Sequence, residues 1–194
     1  MTRIPIDLSK PEKFKEVILY VSQKCETDPR FSVTKLNKIL FFSDFISFGR
    51  TGKSITEQNY QRLDFGPAPR AMVPVCTDMT ERGDLAIVPR PYFNQPQKKP
   101  IALRDPDLSA LSSSEVALID EIIEKLWNLT ASQISAVSHG FIGWQIAKPG
   151  ETIPYGLAWI DTEPEFSLEE IEEISALNPL SDEEKQNLNP RALA

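Results

Sequence analysis

Apolar residues recur at helical spacing along most of this chain, and their density peaks between Phe31 and Gly49. There Leu36, Ile39, Leu40, Phe42 and Ile46 are joined by Phe41, Phe45 and Phe48. Wound as a helix, this stretch has apolar surface over most of its circumference, the pattern of a helix buried at the centre of a domain. Ser32 or Thr34 can accept from the free first-turn amides, and Gly49 can take the left-handed conformation that ends a helix. Lys35 and Lys38 sit one turn apart near the start, where the positive end of the helix dipole disfavours cations, so a carboxylate partner or a surface role is expected for them. Upstream, Phe14, Val17, Ile18, Val21 and Cys25 follow the Ser9, Pro11 and Glu12 capping box, which predicts a first helix over about residues 10–26. Pro29 disfavours helical backbone at Asp28, so Thr27-Asp28-Pro29 ends it.

Downstream, Thr56 is expected to cap a short helix carrying Tyr60 and Leu63, and Gly66-Pro67-Ala68-Pro69 reads as a rigid corner. Arg70 to Thr80 reads as a helix with Met72, Val75, Cys76 and Met79 on one side, and Pro74 in its first turn or bending it. Asp84–Arg90 and Pro100–Arg104 are β-type runs, expected to pair as a hairpin whose long tip holds Lys98 and Lys99. A lone hairpin is marginal in water, so it must lie against the helices. Ser112 and Glu115 open an amphipathic helix through Val116, Ile119, Ile122, Ile123, Leu126 and Trp127, with Asp120, Glu121 and Glu124 opposite. Thr130 and Gln133 open the next, which carries Ile134, Val137 and Ser138 into His139-Gly140. Phe141 to Ile160 is rich in aromatics, including Trp144, Tyr155 and Trp159, expected at a core edge or at a protein interface. Ser167–Glu170 caps a helix through Leu177, Ser181–Glu184 can start a last weak one, and Asn187 to Ala194 is expected to fray. The fold class is mainly α (α+β): a compact helical domain over residues 1–160 around a buried central helix, with a small two-stranded β hairpin. Residues 161–194 form an acidic helical extension.

Composition narrows the function classes. With 194 residues, 41% hydrophobic and 25% charged, the chain has the make-up of an ordinary globular domain with one core. No apolar run approaches the roughly 20 residues of a membrane span, and the first residues lack the apolar block of a signal peptide, so a cytoplasmic location is expected. Cys25 and Cys76 have no metal-type spacing and are expected as buried, reduced thiols inside helices. The net charge of -7 divides into +4 over residues 1–110 and -11 over residues 111–194. That split suits solvated faces, or an acidic tail that covers a basic patch or attracts a basic partner. A general nucleic-acid binder is more often basic overall, so direct nucleic-acid binding is not expected.

Little in the chain supports catalysis. Gly52-Lys53-Ser54 evokes a phosphate loop, yet the first glycine of that motif is missing and a helix precedes it instead of a strand. His139 is the only histidine, so a nucleophilic triad or a metal cluster would have to be built on it alone, and its place at a helix end fits a structural role. Asp44 and Asp64 can be imagined as an acid and base, but nothing distinguishes them from partners of Lys35, Lys38, Arg62 or Arg70. No cofactor and no metal are expected.

Lys35-Leu36-Asn37-Lys38-Ile39-Leu40-Phe41-Phe42, then Thr56 and Tyr60, Gly66-Pro67, and Ser138-His139 with Trp144 resemble, in order and spacing, the Panacea or SocA-like antitoxin domain. The resemblance covers roughly residues 12–160. Phe41 and Phe42 stand where the family often has tyrosine, and the corner reads Gly-Pro-Ala-Pro instead of Gly-Pro-Val. The resemblance implies a bacterial or phage antitoxin that neutralises a cognate protein toxin by direct contact, or, in one branch, a protease adaptor that delivers its toxin for degradation. Some members carry an added DNA-binding domain, for which the residues before the first helix leave no room. The chain's terminal Arg-Ala-Leu-Ala would suit a protease-recognition tail. A small enzyme using His139 with Ser138 or Asp120 is the reading from another class. Lys35, Lys38, Phe42, Tyr60, Asp64, Gly66, Pro67, Arg70, His139 and Trp144 are the candidates for a structural network or for partner binding. Among them Lys35, Lys38, Asp64, Arg70 and the Gly66-Pro67 corner are expected to form a polar network that fixes the corner against the central helix.

Overall fold

The central helix forms where its apolar density predicts, and its two caps fix its length. In the computed structural model, which describes residues 11–92, 95–160, 163–164 and 166–177, this helix is α2, Val33–Thr51. Ser32 is its N-cap, with extended backbone and an Oγ that accepts from the Lys35 amide at 3.2 Å. The helix runs past Gly49 and ends at Gly52, whose φ of 75° directs its N–H to the Phe48 carbonyl. Gly49 lies inside the helix beside Ala158, where a Cβ would meet the Ala158 carbonyl oxygen at 3.4 Å, an ordinary contact.

Helices α1 (Pro11–Lys24), α4 (Ser113–Leu126) and α5 (Ala131–Gly140) pack around α2. Helix α1, Pro11–Lys24, stops one residue short of Cys25, although the Cys25 amide still donates to Val21. Ser9 of its predicted capping box lies outside the described residues. Helix α3, Met72–Glu81, has Pro74 in its first turn and buries Met72, Val75 and Met79. The capping boxes at Ser112/Glu115 and Thr130/Gln133 both form, opening α4, Ser113–Leu126, and α5, Ala131–Gly140. Helices α4 and α5 lie against α2, and α5 in turn carries the short α6, Ile142–Ile146, and α7, Leu168–Leu177. Ser167 Oγ accepts from the Glu170 amide, as expected for the start of α7, and Ile171 and Phe166 are buried there. The final helix and frayed end predicted beyond Leu177 lie outside the described residues. Among the described residues no helix is long and apolar enough to cross a membrane.

Among the described residues two small sheets complete a mainly α fold. The first corrects an expectation: Tyr60 and Leu63 are not helical but form strand β1, Tyr60–Leu63, paired antiparallel with β2, Gly66–Pro69. The run is only four residues long, and for so short a run periodicity does not separate strand from helix. The Gly-Pro-Ala-Pro corner is thus itself a strand. It tolerates two prolines because β2 is the edge of a β2-β1-β5 sheet, where missing N–H donors cost no ladder bonds. The third strand β5 is Thr152–Ile153. The second sheet is the predicted hairpin, β3, Leu85–Tyr92, with β4, Gln95–Ala102, packed against α3 and α1. Its strands are longer and its tip shorter than expected. Lys98 and Lys99 therefore lie within β4, opposite Pro89 and Val88, and Lys99 Nζ donates to the Glu26 and Asp28 carbonyls of the α1–α2 loop.

Polar contacts tie these layers at their edges. Arg104 forks onto Glu16 of α1 at 2.6 and 2.9 Å and reaches Asp84 at 2.9 Å, holding the Glu16 carboxyl below its ordinary range. Tyr20 donates to Asp120 of α4 at 2.7 Å.

Candidate functional site

Three groups of side chains radiate from α2. On its first turns Lys35 and Lys38 are both buried, but they point to different partners. Lys35 Nζ lies 2.6 Å from a fully buried Asp28 carboxylate and donates to the carbonyls of Trp127 and Leu129, so it joins the α1–α2 loop to the end of α4. Burial pulls its pKa down and Asp28 opposes that pull. Lys38 has a different environment. Its Nζ donates to the Pro67 carbonyl at 3.0 Å, and burial alone lowers its pKa to about 7.

The corner leans on this amine. Gly66 has φ of 95°, and a Cβ on it would fall 2.2 Å from Ser138 Oγ and 2.6 Å from Lys38 Nζ. Only glycine lets β2 approach both groups. Ser138 Oγ donates to the Ser135 carbonyl within α5. Next to it His139 is buried and stacks on Trp144 at 3.8 Å with an interplanar angle of 8°. The Trp144 ring also lies under the Arg62 guanidinium at 4.3 Å, and its Nε1 donates to the Leu63 carbonyl at 2.9 Å. Lys38, Gly66, Pro67, Ser138, His139 and Trp144 thus form one continuous cluster that clamps β1–β2 between α2 and α5. Asp64 and Arg70 stand outside it: Asp64 is exposed in the β1–β2 turn, and Arg70 reaches Gln61, Thr152 and the Gly150 carbonyl on the sheet surface.

In the middle of α2 the buried Asp44 accepts from the Thr56 amide at 2.7 Å, from the Thr56 hydroxyl and from the Tyr60 hydroxyl at 2.8 Å. Burial raises its pKa and the Thr56 bonds oppose the rise. Asp44 therefore holds the loop after α2 onto β1. Asp44 and Asp64 differ in setting, one enclosed and one exposed, and the enclosed one is already engaged by three donors. Ser138 donates within its own helix, while Asp120 accepts from Tyr20 and Lys24 on α1. Among the described residues no three His, Cys, Asp or Glu side chains are placed to hold a metal ion.

The third group is aromatic and reaches the surface. Phe41, Phe45, Tyr60, Phe141 and Tyr155 meet edge-on or tilted at 4.6–6.1 Å, and Phe42 packs edge-on against Phe166 at 4.9 Å. Phe48 carries the array outward onto Tyr155 and Trp159 of the 3-10 helix Tyr155–Trp159. Beside it an open groove of about 580 Å³ has Phe42, Phe45 and Ile46 of α2, Phe141 and Trp159 among its lining, with Ile174 and Leu177 of α7 along another wall. Trp159 is 64% exposed and Leu177 72%. Sequence patterning marked Trp159 only as one of several aromatics. It did not place Ile174 and Leu177 beside these aromatics, because that depends on how α7 docks on α5.

Compared with known proteins, residues 36–145, more than half of the chain, match the family model described as antitoxin SocA-like, Panacea domain. No match was found among curated proteins or solved structures. The matched span opens within α2 and closes in α6, so it takes in Lys38, Asp44, the β1–β2 hairpin and the Ser138, His139 and Trp144 cluster. With that span covered, the chain belongs to the SocA-like antitoxin family defined by the Panacea domain.

Proposed function

We propose that this protein is the antitoxin of a toxin–antitoxin pair and neutralises a cognate protein toxin by direct, stoichiometric binding. The antitoxin class follows from the family match. The observation that supports binding is the aromatic groove, on whose lining Trp159 and Leu177 stand mostly in solvent. Large apolar side chains clustered in this way are the usual mark of an interaction site. The Lys38, Asp44 and His139 clusters are enclosed, and in this reading they hold the hairpin and loops in place while the open groove meets the partner.

The test is co-expression with each gene that neighbours this one and is toxic when expressed alone. Growth rescue together with a co-purifying one-to-one complex is the expected result. Rescue accompanied by disappearance of the toxin protein, restored when cellular proteases are inactivated, would replace blocking by delivery for degradation. Absence of both rescue and complex would overturn the reading.

A further inference from the structure

The groove has a chemistry beyond being apolar. Its floor is aromatic, but its walls carry a surplus of negative charge. Helix α7 holds Glu169, Glu170, Glu172 and Glu173 with no lysine or arginine. Of these Glu170 lines the groove, together with Glu163, and one of its carboxylate oxygens also accepts from the Phe166 amide at 2.7 Å. The cation on the lining, Arg50, is already held by Glu163 and by Glu121 at 3.2 and 3.3 Å, and Arg50 with Lys125 keeps Glu121 ionised by lowering its pKa to about 2. The open floor therefore sits in a net negative field, which repels acidic segments and concentrates basic ones.

We propose that this groove takes an amphipathic helix of the partner that is apolar on one face and rich in lysine or arginine along its edges. An apolar channel walled by helices suits a helix laid lengthwise, with anchors at every third or fourth position entering the space above Phe42, Phe45 and Phe141. Trp159 and Leu177 cover its sides, and Glu163 and Glu170 meet its basic edges. Calling that partner the toxin rests on the antitoxin reading; the chemistry of the groove does not.

The test uses the full chain and two synthetic peptides of about 18 residues, long enough for roughly five helical turns. One is an amphipathic Leu/Lys helix and the other its Leu/Glu counterpart. Isothermal titration calorimetry is expected to show the Leu/Lys peptide binding at least about tenfold more tightly. Its affinity should fall at least about tenfold in the Trp159→Ser/Leu177→Ser variant, and should also fall as salt is raised. Both substituted side chains are mostly exposed, and circular dichroism checks that the variant is folded. No binding, equal binding of both peptides, or unchanged binding by the folded variant would each overturn the proposal. Failed growth rescue by the wild-type protein would remove the antitoxin reading and leave the peptide result to decide the groove.

Discussion

Lys38 offers the sharpest test of how this fold is held together. Its amine is fully enclosed, with the Pro67 carbonyl as its acceptor, and burial moves its pKa from 10.5 to about 7. At about 1.36 kcal/mol per pKa unit, that shift corresponds to about 5 kcal/mol. The sign follows from which state holds the proton. Below about pH 7 the amine is charged in both folded and unfolded chains, and the folded state carries the whole cost of burying that charge. Between pH 7 and 10.5 the unfolded chain binds more protons, so stability rises with pH and the cost fades. Lys38→Met keeps the apolar stem, removes the titration and deprives the Pro67 carbonyl of its donor, a loss of about 1–3 kcal/mol that does not vary with pH. The variant should therefore be the more stable protein at about pH 6 and the less stable one above about pH 9, where the two effects cancel. Urea denaturation of both proteins across this range measures the difference, in which the other titrating groups drop out. Parallel stability curves would refute the argument and show that Lys38 keeps an ordinary pKa.

Other contacts predict equally specific outcomes. Gly66→Ala should destabilise by about 3 kcal/mol or more, from backbone strain plus overlap with Ser138 and Lys38, whereas Gly52→Ala, with nothing within 4 Å, should cost about 1 kcal/mol. Thermal melts of the two variants side by side check this. Asp28→Asn leaves the buried Lys35 ammonium without its counter-charge and should cost about 3–5 kcal/mol, while Asp28→Leu/Lys35→Met should recover much of that loss in urea melts. Burial pushes the Cys25 thiol up to about 12 and the Cys76 thiol up to about 11. Neither should react with a thiol-specific reagent at about pH 8 until denaturant is added, and prompt labelling of Cys25 would contradict its burial.

The helices were legible where their signals are local. Ser112 with Glu115 and Thr130 with Gln133 satisfy free amides within one turn, and a four-residue motif carries all the information such a cap needs. Strands β1 and β2 were hidden for the opposite reason. Tyr60–Leu63 has no decisive period, and Gly66–Pro69 reads as a turn. The paired strands are seated where Gly66 lies hard against Lys38 of α2 and Ser138 of α5, contacts between segments distant in sequence. The end of α2 was expected at Gly49 but lies three residues on at Gly52, the glycine whose backbone turns left-handed with its N–H on the Phe48 carbonyl.

For the site, the sequence by itself determined a greasy central helix bearing two lysines, a glycine–proline segment, and a Ser-His with a tryptophan shortly after. Residue type and spacing are enough to identify those, and with them the family. Only the tertiary structure separated the two lysines, giving Lys35 a buried carboxylate and Lys38 a backbone carbonyl. The difference matters because a buried cation's energy depends on what faces it across several ångströms, which one-dimensional order does not encode. The groove likewise depended on docking: Phe42, Trp159 and Leu177 lie far apart along the chain, and the packing of α7 on α5 is what brings them to one surface.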